Sequence, residues 1–123
     1  MPAPFVHLRV HSAYSLAEST LRLKSIVALA GGDSQPAVAI TDTNNMFGAL
    51  EFSEKMRETG VQPIIGLECI IADSRGRGEV VLLAQSEAGY EALCRHNSRA
   101  LLEVEGGDDP VLSLIHILTL PTT

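Results

Sequence analysis

The sequence predicts an α/β fold with a largely parallel sheet, and three observations carry that expectation. Residues 5–16 open with strict alternation: Phe5, His7, Arg9 and His11 point one way, Val6, Leu8 and Val10 the other. Two continuous apolar runs, one ending at Asp42 and one at Glu68, read as further strands with polar tips. Between the strands lie stretches with apolar residues three and four apart, so the order is strand, helix, strand, helix, strand. Right-handed crossovers turn that order into a parallel sheet. Three strands delivering polar groups at corresponding ends is the geometry of a barrel mouth. The His–Arg–His row suits such a site, and equally suits the solvated face of an edge strand.

The first helix is expected over 21–30. Ser19 or Thr20 is its cap, Leu23, Ile26, Val27 and Ala30 form its apolar stripe, and Gly31-Gly32 is its end. Strand two follows from Pro36 to Thr41. Asn44 or Asn45 then starts a helix over 46–59, with Phe47, Leu50 and Met56 facing the core and Gly60 closing it. Strand three covers 64–72. A turn at 74–78 leads into a strand over 79–84; Arg75 and Arg77 on its glycines read as solvated rather than as a phosphate-binding tip. Ser86 caps a third helix, Glu87 to Leu102, with Tyr90, Leu93, Cys94 and Leu101 inward and His96 at the surface.

Composition narrows the function classes. At 123 residues the chain suits one modest domain, and its 46% hydrophobic content permits a core. No apolar run is long enough to span a membrane, and Met-Pro-Ala-Pro does not open a signal peptide, so a cytoplasmic location is expected. A formal charge of −6 argues against a stand-alone nucleic-acid binder, whose phosphate contacts favour a basic surface. Cys69 and Cys94 fall in a strand and a helix, where reduced, buried thiols are expected. Residues 105–110 read as a linker. Residues 1–110 are therefore expected to be one partial domain, and residues 111–123 an apolar tail, foreign to the domain or an expression scar.

The segments FVHLRVHSAYSL, AVAITDTNNMFGALEF and GVQPIIGLECIIAD, in this order and spacing, resemble a known family. It is the amino-terminal polymerase-and-histidinol-phosphatase (PHP) domain of bacterial DNA polymerase III alpha subunits, and the resemblance covers roughly residues 5 to 109. It implies the N-terminal part of a seven-stranded (β/α) barrel, whose mouth in the family is a cage for divalent metals that activate water for phosphoester hydrolysis.

Carried over position by position, the family's His-x-His pair falls on Arg9 and His11, and its Asp-His pair on Asp42 and Thr43. Its strand-three glutamate falls on Glu68. Glu18 sits where the family often has an acidic residue before a glycine, here replaced by Ser19. Arginine is permanently cationic and has no lone pair to give, and a threonine hydroxyl is a poor ligand for zinc-like metals. His11, Asp42 and Glu68 remain as donors, so no catalytic residue and no cofactor are expected, with a divalent metal at low occupancy at most. Arg9 is expected to replace the metal as the local positive charge, pairing with Asp42 and Glu68.

The resemblance implies that the parent is a DNA-directed DNA polymerase whose polymerising aspartates are not in this chain. The expected role is therefore a non-catalytic scaffold and docking surface. Its expected partners are the proofreading exonuclease subunit and other polymerase III holoenzyme subunits, with DNA contacted only through the parent. Self-association through an open sheet edge is also expected. Two other readings stay open: a metal-dependent phosphoesterase or 3′–5′ exonuclease with residual activity, and an unrelated α/β protein binding a small anion through Arg9.

Overall fold

The computed structural model describes residues 5–15, 19–102 and 111–113. In chain order the elements are α1 (Leu23–Gly32), β1 (Ala37–Ile40), α2 (Ala49–Thr59), β2 (Gln62–Asp73), β3 (Gly76–Leu83), α3 (Glu87–Leu102) and β4 (Val111–Ser113). The α/β expectation holds, with a mixed and mostly parallel sheet. β2 is its centre: β1 runs parallel to it from Ala37↔Gln62 to Ile40↔Ile65, and β3 folds back antiparallel from Asp73↔Gly76 to Gly66↔Leu83. β4 lies parallel to β2 at Ile70↔Val111 through Ala72↔Ser113. Because β3 occupies one edge of β2 over that stretch, β4 must take the other, in line with β1.

The alternating first segment is not a regular strand. It touches β1 through a single bridge, His7↔Val38, and two main-chain bonds, Ala39 N to His7 O at 2.9 Å and Thr41 N to Val10 O at 2.8 Å. The Val10 N–H is given to the Thr41 side chain at 3.1 Å, so a hydroxyl replaces the next rung of the ladder.

One face of the sheet is covered by helices. The α1 stripe expected from spacing, Leu23, Ile26, Val27 and Ala30, is buried with Val38 and Ile40 of β1, Phe52 and Met56 of α2, and Val61. Farther along, Leu67 and Cys69 of β2 meet Ala100 of α3, with Met46, Ile71, Val80 and Leu82 packed beside them. Strand alternation turns Thr41, Gly66, Glu68, Glu79 and Val81 to the opposite face. No helix among the described residues is long and apolar enough to cross a membrane.

Helix ends differ from expectation for local reasons. Ser19 does not cap α1; its hydroxyl donates to His11 O at 2.9 Å and accepts from Leu21 N at 3.2 Å. α1 continues through both glycines, and the left-handed residue after it is Ser34. α2 starts at Ala49, not 46, because Asn44 is left-handed (φ 57°) and Asn45 Oδ1 accepts from Phe47 N at 3.3 Å in a tight turn. That delay leaves Phe47 outside the helix, which buries Ala49, Phe52 and Met56. Phe47 and Leu50, expected inside, are 70% and 72% exposed, while Phe52 and Met56 are fully buried. Gly60, left-handed at φ 78°, closes α2 as expected. In α3, Leu93 is buried, Cys94 and His96 are half-buried, and Tyr90 and Leu101 are exposed.

Candidate functional site

The site forms where the chain leaving β1 stays beside β2. Glu68 N donates to Asp42 O at 3.1 Å, Asn44 N donates to Glu68 O at 2.9 Å, and Thr43 is bridged to Glu68. This aligns Asp42, Thr43 and Glu68. The first segment, lying along β1, adds Arg9 and His11.

Glu68 is the hub, with only 4% of its surface exposed. Arg9 Nε donates to its Oε1. Its Oε2 accepts from Thr43 Oγ1 at 3.2 Å and lies 2.9 Å from His11 Nε2. A carboxylate only accepts, so the histidine contact is favourable when Nε2 carries the proton, and that nitrogen then has no lone pair for a metal. Burial pushes the Glu68 carboxyl up. The Arg9 hydrogen bond, the charges of His11 and Arg9, and the Thr43 hydroxyl outweigh burial and hold it below the ordinary value. Beside it on the helix-covered face, burial and then the Glu68 charge push the Cys69 thiol up to about 11.

Asp42 belongs to a separate network. It is 2% exposed, and its Oδ1 accepts from Ser12 N at 2.6 Å and Ser15 Oγ at 2.7 Å. Its Oδ2 accepts from Ser12 Oγ at 2.7 Å. Ser15 Oγ also accepts from Thr43 N at 3.0 Å, and Asn45 Nδ2 donates to Tyr14 O at 3.0 Å, closing the 12–15 turn onto the 42–45 loop.

The expected pairing of Arg9 with both Asp42 and Glu68 is thus redistributed. Arg9 takes Glu68 and reaches Glu79 of β3, with Nη2 3.6 Å from Oε2, while serines hold Asp42. Glu18 lies outside the described residues.

Sequence reasoning missed Ser12, Ser15 and Glu79. The hairpin register carried a signal for Glu79. Val81 sits opposite Glu68, so two-residue alternation puts Glu79 diagonally across on the same face. For Ser12 and Ser15 the only signal is two hydroxyls three apart after His11, which suits a side-chain-stabilised turn.

These residues do not fit the family's metal cage. A permanent cation sits on Glu68, both Asp42 oxygens accept hydrogen bonds from serine, and Thr43 stands where the family resemblance implies an imidazole. Among the described residues, no three His, Cys, Asp or Glu side chains form a group able to hold a metal ion. The arrangement can bind a carboxylate to a guanidinium and lock two loops.

Comparison with known proteins places this geometry. A family model described as PHP domain matches residues 7–114. The DNA polymerase III subunit alpha of Caulobacter vibrioides is 40% identical over 116 residues, covering 88% of this chain and 10% of that protein. An error-prone DNA polymerase of Symbiobacterium thermophilum is 42% identical over 91 residues, covering 74% of this chain and 8% of that protein. The chain thus spans about a tenth of the length of the curated relatives it matches. In fold it is similar to an amidohydrolase from Chromobacterium violaceum solved with bound sulfate and no metal. The TM-score is 0.58 at 17% identity, over 82% of this chain and 40% of that one.

Proposed function

Because this chain belongs to the PHP domain family, we propose that it serves as a non-catalytic PHP segment of a bacterial DNA polymerase III alpha subunit. In this reading it is a structural scaffold and a docking surface for the proofreading exonuclease subunit. The observation that carries the reading is the Arg9–Glu68 pair. A guanidinium lying on the carboxylate at the family's ligand position neutralises the charge that would otherwise attract a metal, and joins the first segment to β2 and β3. Relatives named DNA polymerase III subunit alpha support the polymerase context.

Two measurements test it. The chain, dialysed without chelator, is expected to hold well under one equivalent of zinc, manganese or iron. With added manganese it should show no phosphomonoesterase or 3′-exonuclease turnover above a His11→Ala variant. Two or more tightly held metals, or a rate that depends on His11 and metal, would overturn the reading in favour of a phosphoesterase. For docking, calorimetric titration of the exonuclease subunit into the complete polymerase subunit should lose affinity when this segment is deleted. Unchanged affinity would remove the docking role.

A further inference from the structure

Among the described residues, β3 is paired along one edge and open along the other. β2 occupies the first from Gly66↔Leu83 to Asp73↔Gly76, and no described strand bonds to the second. The alternation decides which backbone groups face outward. Ser74 and Arg75 form a two-residue loop, so Asp73 and Gly76 are the closing hydrogen-bonded pair, and Gly78, Val80 and Leu82 likewise turn toward β2. Arg77, Glu79, Val81 and Leu83 therefore turn their N–H and C=O groups away from the sheet. Residues 76–79 are all exposed.

Open edges are commonly protected by charge. Here the two charges are opposite in sign, two residues apart, and separated by a glycine, which makes the edge complementary to itself. A two-fold axis through Gly78 sets Arg77 opposite Glu79 of a second copy, and Glu79 opposite that copy's Arg77. Both are outward-facing positions that can exchange main-chain bonds. The two Gly78 residues meet at the close, non-hydrogen-bonded position, and a Cβ there meets nothing within 4 Å of its own chain. Other registers are poorer in charge. An axis through Glu79 sets like charges face to face, and one through Val80 sets both charges against Val81 and Leu83. We propose that the outer edge of β3 is a homotypic pairing surface, to which a second copy of this chain adds antiparallel in the register centred on Gly78.

Sedimentation of the full chain over a concentration series reads the association. Arg77→Glu and Glu79→Lys should each weaken it by roughly tenfold or more, since each sets two like-charge pairs across the axis. An equimolar mixture of the two variants should recover it, because the doubly acidic edge then faces the doubly basic one. Glu79 also faces Arg9, so thermal melts must show that each variant is folded. Gly78→Cys, in a Cys94→Ala background, leaves both charges in place and should cross-link under mild oxidation, as the expected Cα spacing suits a disulfide. A monomer throughout the series, a dimer that neither charge change weakens, or a self-associating chain whose Gly78→Cys variant does not cross-link would each overturn the proposal.

Discussion

Arg9 stabilises the fold through a partner far better buried than itself. Its side chain is 60% exposed, while that of Glu68 is 5% exposed. Truncating Arg9 therefore strips charge and a hydrogen bond from a carboxylate that water reaches poorly. We expect Arg9→Ala to cost about 1–2 kcal/mol in denaturant unfolding, solvent screening of Arg9 keeping it below a fully buried pair. In a Glu68→Gln background the same change should cost measurably less. The pH dependence follows from the lowered Glu68 carboxyl. The unfolded state takes up a proton near the ordinary glutamate value of about 4.3, the folded state only below it. The contribution of Glu68 is thus fully present above that value and is lost as pH falls through the folded one. Wild type should lose stability relative to Glu68→Gln over that acid range. Parallel acid limbs in the two unfolding series would refute the assignment.

At the scale of elements, two expectations test the packing. A Cβ on Gly66 would lie 2.7 Å from the Leu82 carbonyl oxygen, 2.8 Å from Leu83 Cδ2 and 2.9 Å from Thr41 Cγ2. The first contact is backbone, which no rotamer change relieves, so β2 and β3 must separate. Gly66→Ala should cost about 1–3 kcal/mol in urea unfolding, against a near-neutral Gly78→Ala whose new methyl meets open space. The late start of α2 gives the second contrast. Phe47→Ser should change stability by no more than about 0.5 kcal/mol, because Phe47 is 70% exposed. Phe52→Ala, in the core, should cost about 3–5 kcal/mol. Reversed magnitudes would mean that α2 sits in the register its apolar spacing first suggested.

The whole molecule is organised by β2. β1 and β4 lie along one of its edges and β3 along the other, whereas the first segment is joined to β1 by few main-chain bonds. Native-state hydrogen exchange should accordingly be slowest for the amides of Leu67, Glu68 and Cys69, and much faster in residues 5–10. Because Arg9 joins that segment to Glu68, acidification that protonates Glu68 should loosen it before β2 opens. Simultaneous loss of protection in both would show that the segment and the sheet unfold as one unit.

The sequence by itself determined the elements whose pattern is internal. The α1 stripe, the apolar runs of β1 and β2, the glycine stop of α2 and the span of α3 are written in spacing and turn chemistry, which act over a few residues. Strand ends marked Arg9, His11, Asp42 and Glu68 as polar groups at corresponding ends, and the family resemblance added Thr43; the structure gathers Arg9, His11 and Thr43 on Glu68 and leaves Asp42 to the serines. Beyond the expected Arg9–Glu68 pair, tertiary structure decided who pairs with whom. Arg9 reaches Glu79 because the β2–β3 register puts that glutamate diagonally across from Glu68, and Asp42 turns to Ser12 and Ser15 because the 12–15 turn is folded onto it. Phe47 is exposed because it falls in the turn that left-handed Asn44 opens, ahead of α2. The first two outcomes depend on the relative placement of segments tens of residues apart, which local pattern does not encode, and the third on a left-handed turn that apolar spacing does not register.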